Sequence, residues 1–319
     1  MDKKDLSKIL NKFILNKESI LAEIYFVLKE NENTILRFVD LEESAQKETT
    51  RQIIDNFEKN LVNDDEVSVI SISNSDDRNN VIYEYDLEEV PEDLTIVNEV
   101  KVNDEIKNFS FSDDSLESLH SIMILLVHEE NSIITFKKNY PINLIRKDGI
   151  NLMKFRFKNN TRFINLDEDI VKISPSFDIF KVDSTLFINE LKVLEKFFGF
   201  HDIIEKKAKK CIETINGNEI LENPEDLIEL VEDDISFARK LTKVNSSSPV
   251  LGNIPGETII QFVKDYPSLN GKFRFNEEGS RILLTSKKSK NLFVKLLNDD
   301  FLHSELTKRY YDSLAKDSL

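Results

Sequence analysis

The feature that most constrains the fold is a change of hydrophobic period at Asn189. From Ser121 to Asn189 the apolar residues alternate along short runs. Ser121–Val127, Ser132–Lys138, Ile142–Arg146, Met153–Phe157, Thr161–Asn165, Ile170–Ile173, Phe177–Val182 and Leu186–Asn189 succeed one another at short spacing. Two-residue periodicity with small turns predicts an antiparallel meander or curled sheet. Beyond Asn189 the period becomes helical. Leu191, Leu194, Phe197 and Phe198 mark one face, and Ile204, Ala208, Cys211 and Ile215 another. The chain therefore reads as α+β, with a sheet-rich, mainly antiparallel part over 1–189 and a mainly helical part with one hairpin over 190–319.

Upstream, Leu6, Ile9, Leu10, Phe13 and Ile14 predict a helix. Strands come next at Ile20–Leu28 and Thr34–Leu41, then a helix over Ala45–Leu61 and strands near 67–72 and 81–87. Asp86–Glu105 is acidic and broken by Pro91, and Asp113-Asp114-Ser115 suits the start of a short helix. In the second part, Pro224 opens a helix, two more are predicted over 235–244 and 254–265, and Lys272–Thr285 reads as a hairpin around Asn276-Glu277-Glu278-Gly279. Leu292, Phe293, Leu296 and Leu297 predict a helix, Asn298-Asp299-Asp300 a polar corner, and Leu302, Leu306, Tyr310 and Leu314 a second helix.

Charge divides the chain differently. The formal net charge is −16. Through Phe136 there are 31 acidic and 13 basic residues; the remainder has 28 and 30. Acidity is thus a property of the first part. Cys211 is the only cysteine, which excludes an intramolecular disulfide and fits a reducing cytoplasm. No apolar run approaches the ~20 residues of a membrane-spanning helix, and the first residues lead into an amphipathic helix, not a signal peptide. A cytoplasmic protein, held at a membrane only by a partner, is the expectation.

Basic density supplies the main candidate site. Lys137, Lys138, Arg146, Lys147, Lys154, Arg156, Lys158 and Arg162 fall with only Asp148 among them between Arg146 and Arg162. Lys154, Arg156 and Lys158 alternate with Phe155 and Phe157, which on a strand puts three cations on one face, spaced by ~6.6–6.8 Å. That spacing suits successive phosphates of one nucleic-acid strand, contacted without reading sequence. A second set is Lys272, Arg274, Arg281, Lys287, Lys288 and Lys290, and a third is the helical Lys206, Lys207, Lys209 and Lys210. The competing reading of each is a solvated face, or a surface for acidic protein partners.

Enzymatic signals are weaker. Pro91-Glu92-Asp93 followed by Glu99-Val100-Lys101 has the residue types of a metal-dependent nuclease, in which Asp93 and Glu99 would hold Mg²⁺ and Lys101 would sit near the attacking water. His120, His128, His201 and His303 show no ligand-pair spacing, and Cys211 lies on an apolar stripe. Gly252 and Gly256 flank Ile254-Pro255 as turn formers. Asp299, Asp300, Ser304 and Glu305 suit capping and a corner. No catalytic residue, metal or cofactor is assigned.

The run Asn298-Asp299-Asp300-Phe301-Leu302-His303-Ser304-Glu305-Leu306-Thr307, with Tyr310, Tyr311 and Lys316, resembles the C-terminal signature of the KwaB family. Phe187-Ile188, Phe197-Phe198-Gly199-Phe200, Lys206-Lys207-Ala208, Phe237-Ala238-Arg239-Lys240-Leu241 and Ile282-Leu283-Leu284-Thr285 fit the same pattern, so the resemblance runs from Ile170 to Leu319. KwaB is the soluble subunit of the two-gene Kiwa anti-phage system of bacteria. The resemblance implies a homo-oligomer, with a dimer expected, a membrane-spanning KwaA partner, and binding of phage DNA that blocks replication or transcription without cleavage.

Overall fold

Every predicted element longer than six residues upstream of Asn298 appears where the apolar period puts it, in a computed structural model that describes residues 1–30, 33–75, 79–99, 106–145, 152–157, 160–165 and 169–312. The elements in chain order are α1 (Lys3–Asn16), β1 (Glu23–Glu30), β2 (Asn33–Val39), α2 (Glu43–Phe57), β3 (Ser68–Ser71), β4 (Val81–Glu84), α3 (Glu92–Glu99), β5 (Leu119–His128), β6 (Asn131–Lys138), β7 (Leu144–Ile145), β8 (Leu152–Phe157), β9 (Asn160–Asn165), β10 (Ile170–Val171), β11 (Ile179–Val182) and β12 (Thr185–Ile188). Then come α4 (Leu191–Phe197), α5 (Phe200–Gly217), α6 (Asp226–Asp233), α7 (Ile235–Ser247), α8 (Gly256–Asp265), β13 (Arg274–Phe275), β14 (Ile282–Leu283), α9 (Lys287–Leu297), β15 (Phe301–His303) and β16 (Tyr310–Asp312). They form two compact units, residues 1–67 with 95–193, and residues 68–94 with 194–319.

The first unit is built on an antiparallel meander in the order β2-β1-β5-β6-β11-β12. Its register places Ile24, Ile124, Thr135 and Phe180 in one cross-strand row. Because side chains alternate across a sheet, that row belongs to one face. Phe57 of α2 meets Phe180 edge-on at 5.1 Å and stacks on Phe177 at 4.3 Å, while Phe180 stacks on its register partner Phe187 at 5.0 Å. Ring contacts of this kind contribute ~0.5–1.5 kcal/mol each beyond area burial, and they seat α2. In β1 the run Tyr25–Leu28 is buried without interruption, so both faces of this strand are covered. Arg37 of β2 reaches Asp114 at 2.8 Å, with side chains 17% and 3% exposed. Asp114 also accepts from the Ser110 amide, and the short helix expected to start at Asp113-Asp114-Ser115 is a single 3-10 turn, Leu116–Ser118, capped by Ser115. The strand expected over 142–146 is a 3-10 turn, Pro141–Asn143, leading into β7, which pairs with β10. Strands β8 and β9 form a separate hairpin.

The second unit contains β3 and β4, paired in parallel, unlike the antiparallel majority. Its helices pack through the predicted stripe: Ile204, Ala208, Cys211 and Ile215 of α5 are all buried. Gly199, at φ 67, lets Phe198 and Phe200 both point inward at the start of α5. Arg239 of α7 pairs with Glu195 at 2.7 Å, both largely buried. Asp234 caps α7, its carboxylate accepting from the Phe237 amide at 3.1 Å.

The end of the chain departs from expectation. α9 stops in a Schellman arrangement: the Asp299 amide donates to Leu296 O and the Asp300 amide to Lys295 O, with Asp299 left-handed at φ 56. No helix comes after it among the described residues. β15 and β16 pair as a hairpin, Leu302 opposite Tyr311 and His303 opposite Tyr310. The Ser304 hydroxyl accepts from the Thr307 amide, one turn only, and Lys308 at φ 53 ends it. The i, i+4 spacing of Leu302 and Leu306 is not a buried stripe, since Leu306 is 94% exposed at the turn. Tyr266 holds the alternative: its hydroxyl is shared between the carbonyls of Leu302 (2.9 Å) and Tyr311 (3.1 Å), tying both strands to the end of α8.

Candidate nucleic-acid interface

The basic run in the middle of the chain is divided by its surroundings. Lys137 and Lys138 lie at the end of β6. Asp178, only 1% exposed, accepts from Lys137 Nζ at 2.5 Å and from the Lys138 amide at 2.8 Å. A buried carboxylate needs such donors, so much of the Lys137 charge is spent on holding β11 to β6. Lys138 Nζ donates to His120 O at 2.9 Å. Arg146, Lys147 and Lys158 lie outside the described residues, as do the side chains of Lys154, Arg156 and Arg162. The backbone register of the β8–β9 hairpin is informative nonetheless. Lys154 and Arg156 share one strand parity, opposite Phe163 and Thr161. Arg162 stands opposite Phe155, on the other parity, so it is not in the same row as the two β8 cations.

The second set is likewise split. Lys272 and Arg274 are exposed around buried Phe273, and neither makes an ion pair with any described residue. Lys288, at the start of α9, is also exposed. Arg281 instead faces Glu219 at 3.4 Å and Glu222 at 4.0 Å. It lies in a cleft of about 880 Å³ whose rim also carries Glu257, Glu277 and Glu278. Lys287 is tied to Asp234 at 2.9 Å. Burial acts to raise the Asp234 carboxyl, but the hydrogen bonds from Lys287 and the Phe237 amide outweigh it and hold the carboxyl below its ordinary value. Lys290 Nζ donates to Asp226 O. On α5, Lys209 contacts Glu205 (2.7 Å) and Glu232 (2.6 Å), and Lys206 approaches Glu89 at 3.7 Å.

The nuclease pattern is contradicted at Glu99. It needs Glu99 and Lys101 on a strand, yet Glu99 ends helix α3 and Lys101 lies outside the described residues. Among the described residues no group of three His, Cys, Asp or Glu is arranged to hold a metal ion. The histidines serve local contacts: His128 packs on Phe13, His201 lies 3.6 Å from Glu205, and His303 lies 3.5 Å from Glu305. His120 Nδ1 is 2.6 Å from the Ser121 hydroxyl, but Ser121 is fully buried. Burial pushes the Cys211 thiol up to about 12, so it is an inert core group. No helix of the described residues is long and apolar enough to cross a membrane.

Sequence reasoning missed Lys172, Ser174 and Ser176. They lie just after β10 and come beside Lys137 and Lys138 around a small cavity. A single lysine and two serines in an irregular stretch carry no signal of their own; only pairing of β10 with β7, and of β11 with β6, brings them there.

A family model described as "Kiwa protein KwaB-like" matches residues 116–307. The chain is also 29% identical, over 324 aligned residues spanning 100% of the chain and 99% of the relative, to the Kiwa protein KwaB of Escherichia coli O55:H7 (strain RM12579 / EPEC). No solved structure matches it. The family match spans four of the six meander strands, β5, β6, β11 and β12, and the helices from α4 through the Schellman-capped α9 and into the closing hairpin, and the chain belongs to the KwaB-like family of Kiwa proteins.

Proposed function

We propose that this protein acts in Kiwa anti-phage defence by holding DNA on exposed cations, without cutting it. The observation that carries the reading is the sequence Lys272-Phe273-Arg274, where a buried ring turns to solvent two cations that have no ion-pair partner among the described residues. The like-parity pair Lys154 and Arg156 on β8 supports it. Cations with no carboxylate partner displace counterions from phosphates, so affinity falls steeply with salt. Lys288 joins this set, as do Arg146, Lys147 and Lys158; Arg162 acts separately. Lys137, Arg281 and Lys287 contribute less, because each already faces a carboxylate. The protein works as a homodimer with a KwaA-like membrane partner, and DNA so held is blocked from replication or transcription.

Duplex DNA binding measured over a salt series, with and without Mg²⁺, tests this. Each phosphate neutralised adds about 0.9 to the steepness of log K against log salt. Lys272→Glu with Arg274→Glu flattens that slope. Absence of binding at low salt overturns the reading, and Mg²⁺-dependent cuts overturn its non-catalytic part.

A further inference from the structure

We infer that the cavity beside the end of β6 is a seat for one phosphate group with a single buried water behind it. The cavity is small, about 10 Å³, and is lined by Lys137, Lys138, Lys172, Ser174, Ser176 and Asn139, among others, with Ile122 and Ile124 as apolar floor. Among the described residues no carboxylate lines it, in a chain of net charge −16. Asp178 is the acid nearest to it by bonding, and its oxygens are engaged by Lys137 Nζ and the Lys138 amide. Lys172 is exposed at the mouth and makes no ion pair with any described residue. The Ser174 and Ser176 hydroxyls lie 2.8 Å apart, so only one of their protons is used between them and the other remains to donate.

The deciding group is Asn139. It is 6% exposed; its backbone amide donates to His120 O and its Nδ2 to Leu119 O, but its Oδ1 has no partner among the described residues. A buried carbonyl oxygen without a donor costs ~1–3 kcal/mol unless something supplies one. An anion alone does not, since it too is an acceptor. A water does, and about 10–15 Å³ is the space one water needs. That water donates one proton to Asn139 Oδ1 and its other to an oxyanion held at the mouth by Lys172 and a serine hydroxyl. The orphan acceptor, the single-water space and the carboxylate-free cationic mouth thus describe one arrangement.

The chemistry recognised is a phosphate oxyanion, from either free inorganic phosphate or a DNA phosphodiester. The second source rests on the proposed DNA binding; the seat itself does not. The test measures thermal unfolding of the full chain in inorganic phosphate against chloride at matched ionic strength. It also follows the Asn139 side-chain amide by NMR, and measures duplex DNA affinity. At ten times Kd, phosphate raises Tm by roughly 2–4 °C and shifts the Asn139 amide. Lys172→Glu and Ser174→Ala, both outside the core, each remove most of that response. If Lys172→Glu also weakens DNA binding, the phosphodiester is a ligand of the seat. If DNA affinity is unchanged, the seat takes free phosphate. Equal Tm in phosphate and chloride, or a response undiminished in both variants, overturns the seat even where DNA binds. Phosphate binding in a protein that fails to bind DNA leaves the seat standing and removes the DNA reading.

Discussion

The cavity near Lys172 in the first unit and the cleft around Arg281 in the second are both concave, both polar, and both border basic stretches of sequence. Their charge is opposite. Three lysines line the first, with no carboxylate among its described residues. Five glutamates surround the single arginine of the second. The difference lies in what the fold brings from elsewhere. Arg281 belongs to a basic stretch, yet Glu219 and Glu222 lie past the end of α5 and reach it across the β14 pairing with Leu221. Lys137 is neutralised by a residue 41 positions away. Lys172 meets no such partner among the described residues. A cation's availability is therefore set by long-range pairing, not by local density.

The sharpest break of this contrast is at Asp178. Asp178→Ala leaves the part-buried Lys137 ammonium without its counter-charge and the Lys138 amide without its acceptor. Breaking a buried pair from one side costs about 3 kcal/mol. Urea unfolding of the variant measures it, and a loss below about 1 kcal/mol would mean that Lys137 is free after all. Next in size is the contrast between spent and unspent cations in the second unit. Reversing Lys272 and Arg274 together should lower the salt dependence of DNA binding by about 2 in slope, whereas Arg281→Glu leaves it nearly unchanged. Equal effects would erase the distinction between paired and unpaired cations.

A smaller effect is expected at the link between α7 and α9. Asp234→Ala removes an N-cap and costs about 1 kcal/mol. The folded carboxyl lies below its ordinary 3.8. Its contribution is therefore complete above that value and disappears as pH falls through the folded pKa. Wild-type stability should drop over that acid range, and Asp234→Asn should lose part of the drop. The smallest effect is at Asp299. Glycine adopts the left-handed conformation without the ~1–2 kcal/mol Cβ penalty but loses ~0.5–1 kcal/mol more chain entropy on folding, so Asp299→Gly should stabilise by roughly 0.5 kcal/mol, read as a shift in the urea midpoint. A loss would assign the Asp299 side chain a role beyond the cap.

Sequence alone carried the period-2 runs of β5 and β6, the amphipathic stripes of α1 and α5, the helix stop at Asn298-Asp299-Asp300, and the kinship with KwaB through the closing motif. These are local matters: alternation, helical spacing and cap chemistry act within a few residues. The segment beyond the helix stop is governed from a distance. Leu302 and Leu306 have helical spacing, but Tyr266, some 36 positions upstream, ties both strands of the hairpin through its hydroxyl and packs its ring on Phe301 and Tyr310. The same is true of charge. Lys154 and Arg156 were placed in one row by strand alternation, while Arg162 was separated from them only by hairpin register. Which lysines meet carboxylates, and that Lys172, Ser174 and Ser176 gather beside an unsatisfied Asn139, depended on strand pairing across tens of residues. Hydrophobic period is written along the chain, but the neutralisation of a charge is decided by whatever tertiary contact brings to within a few ångströms of it.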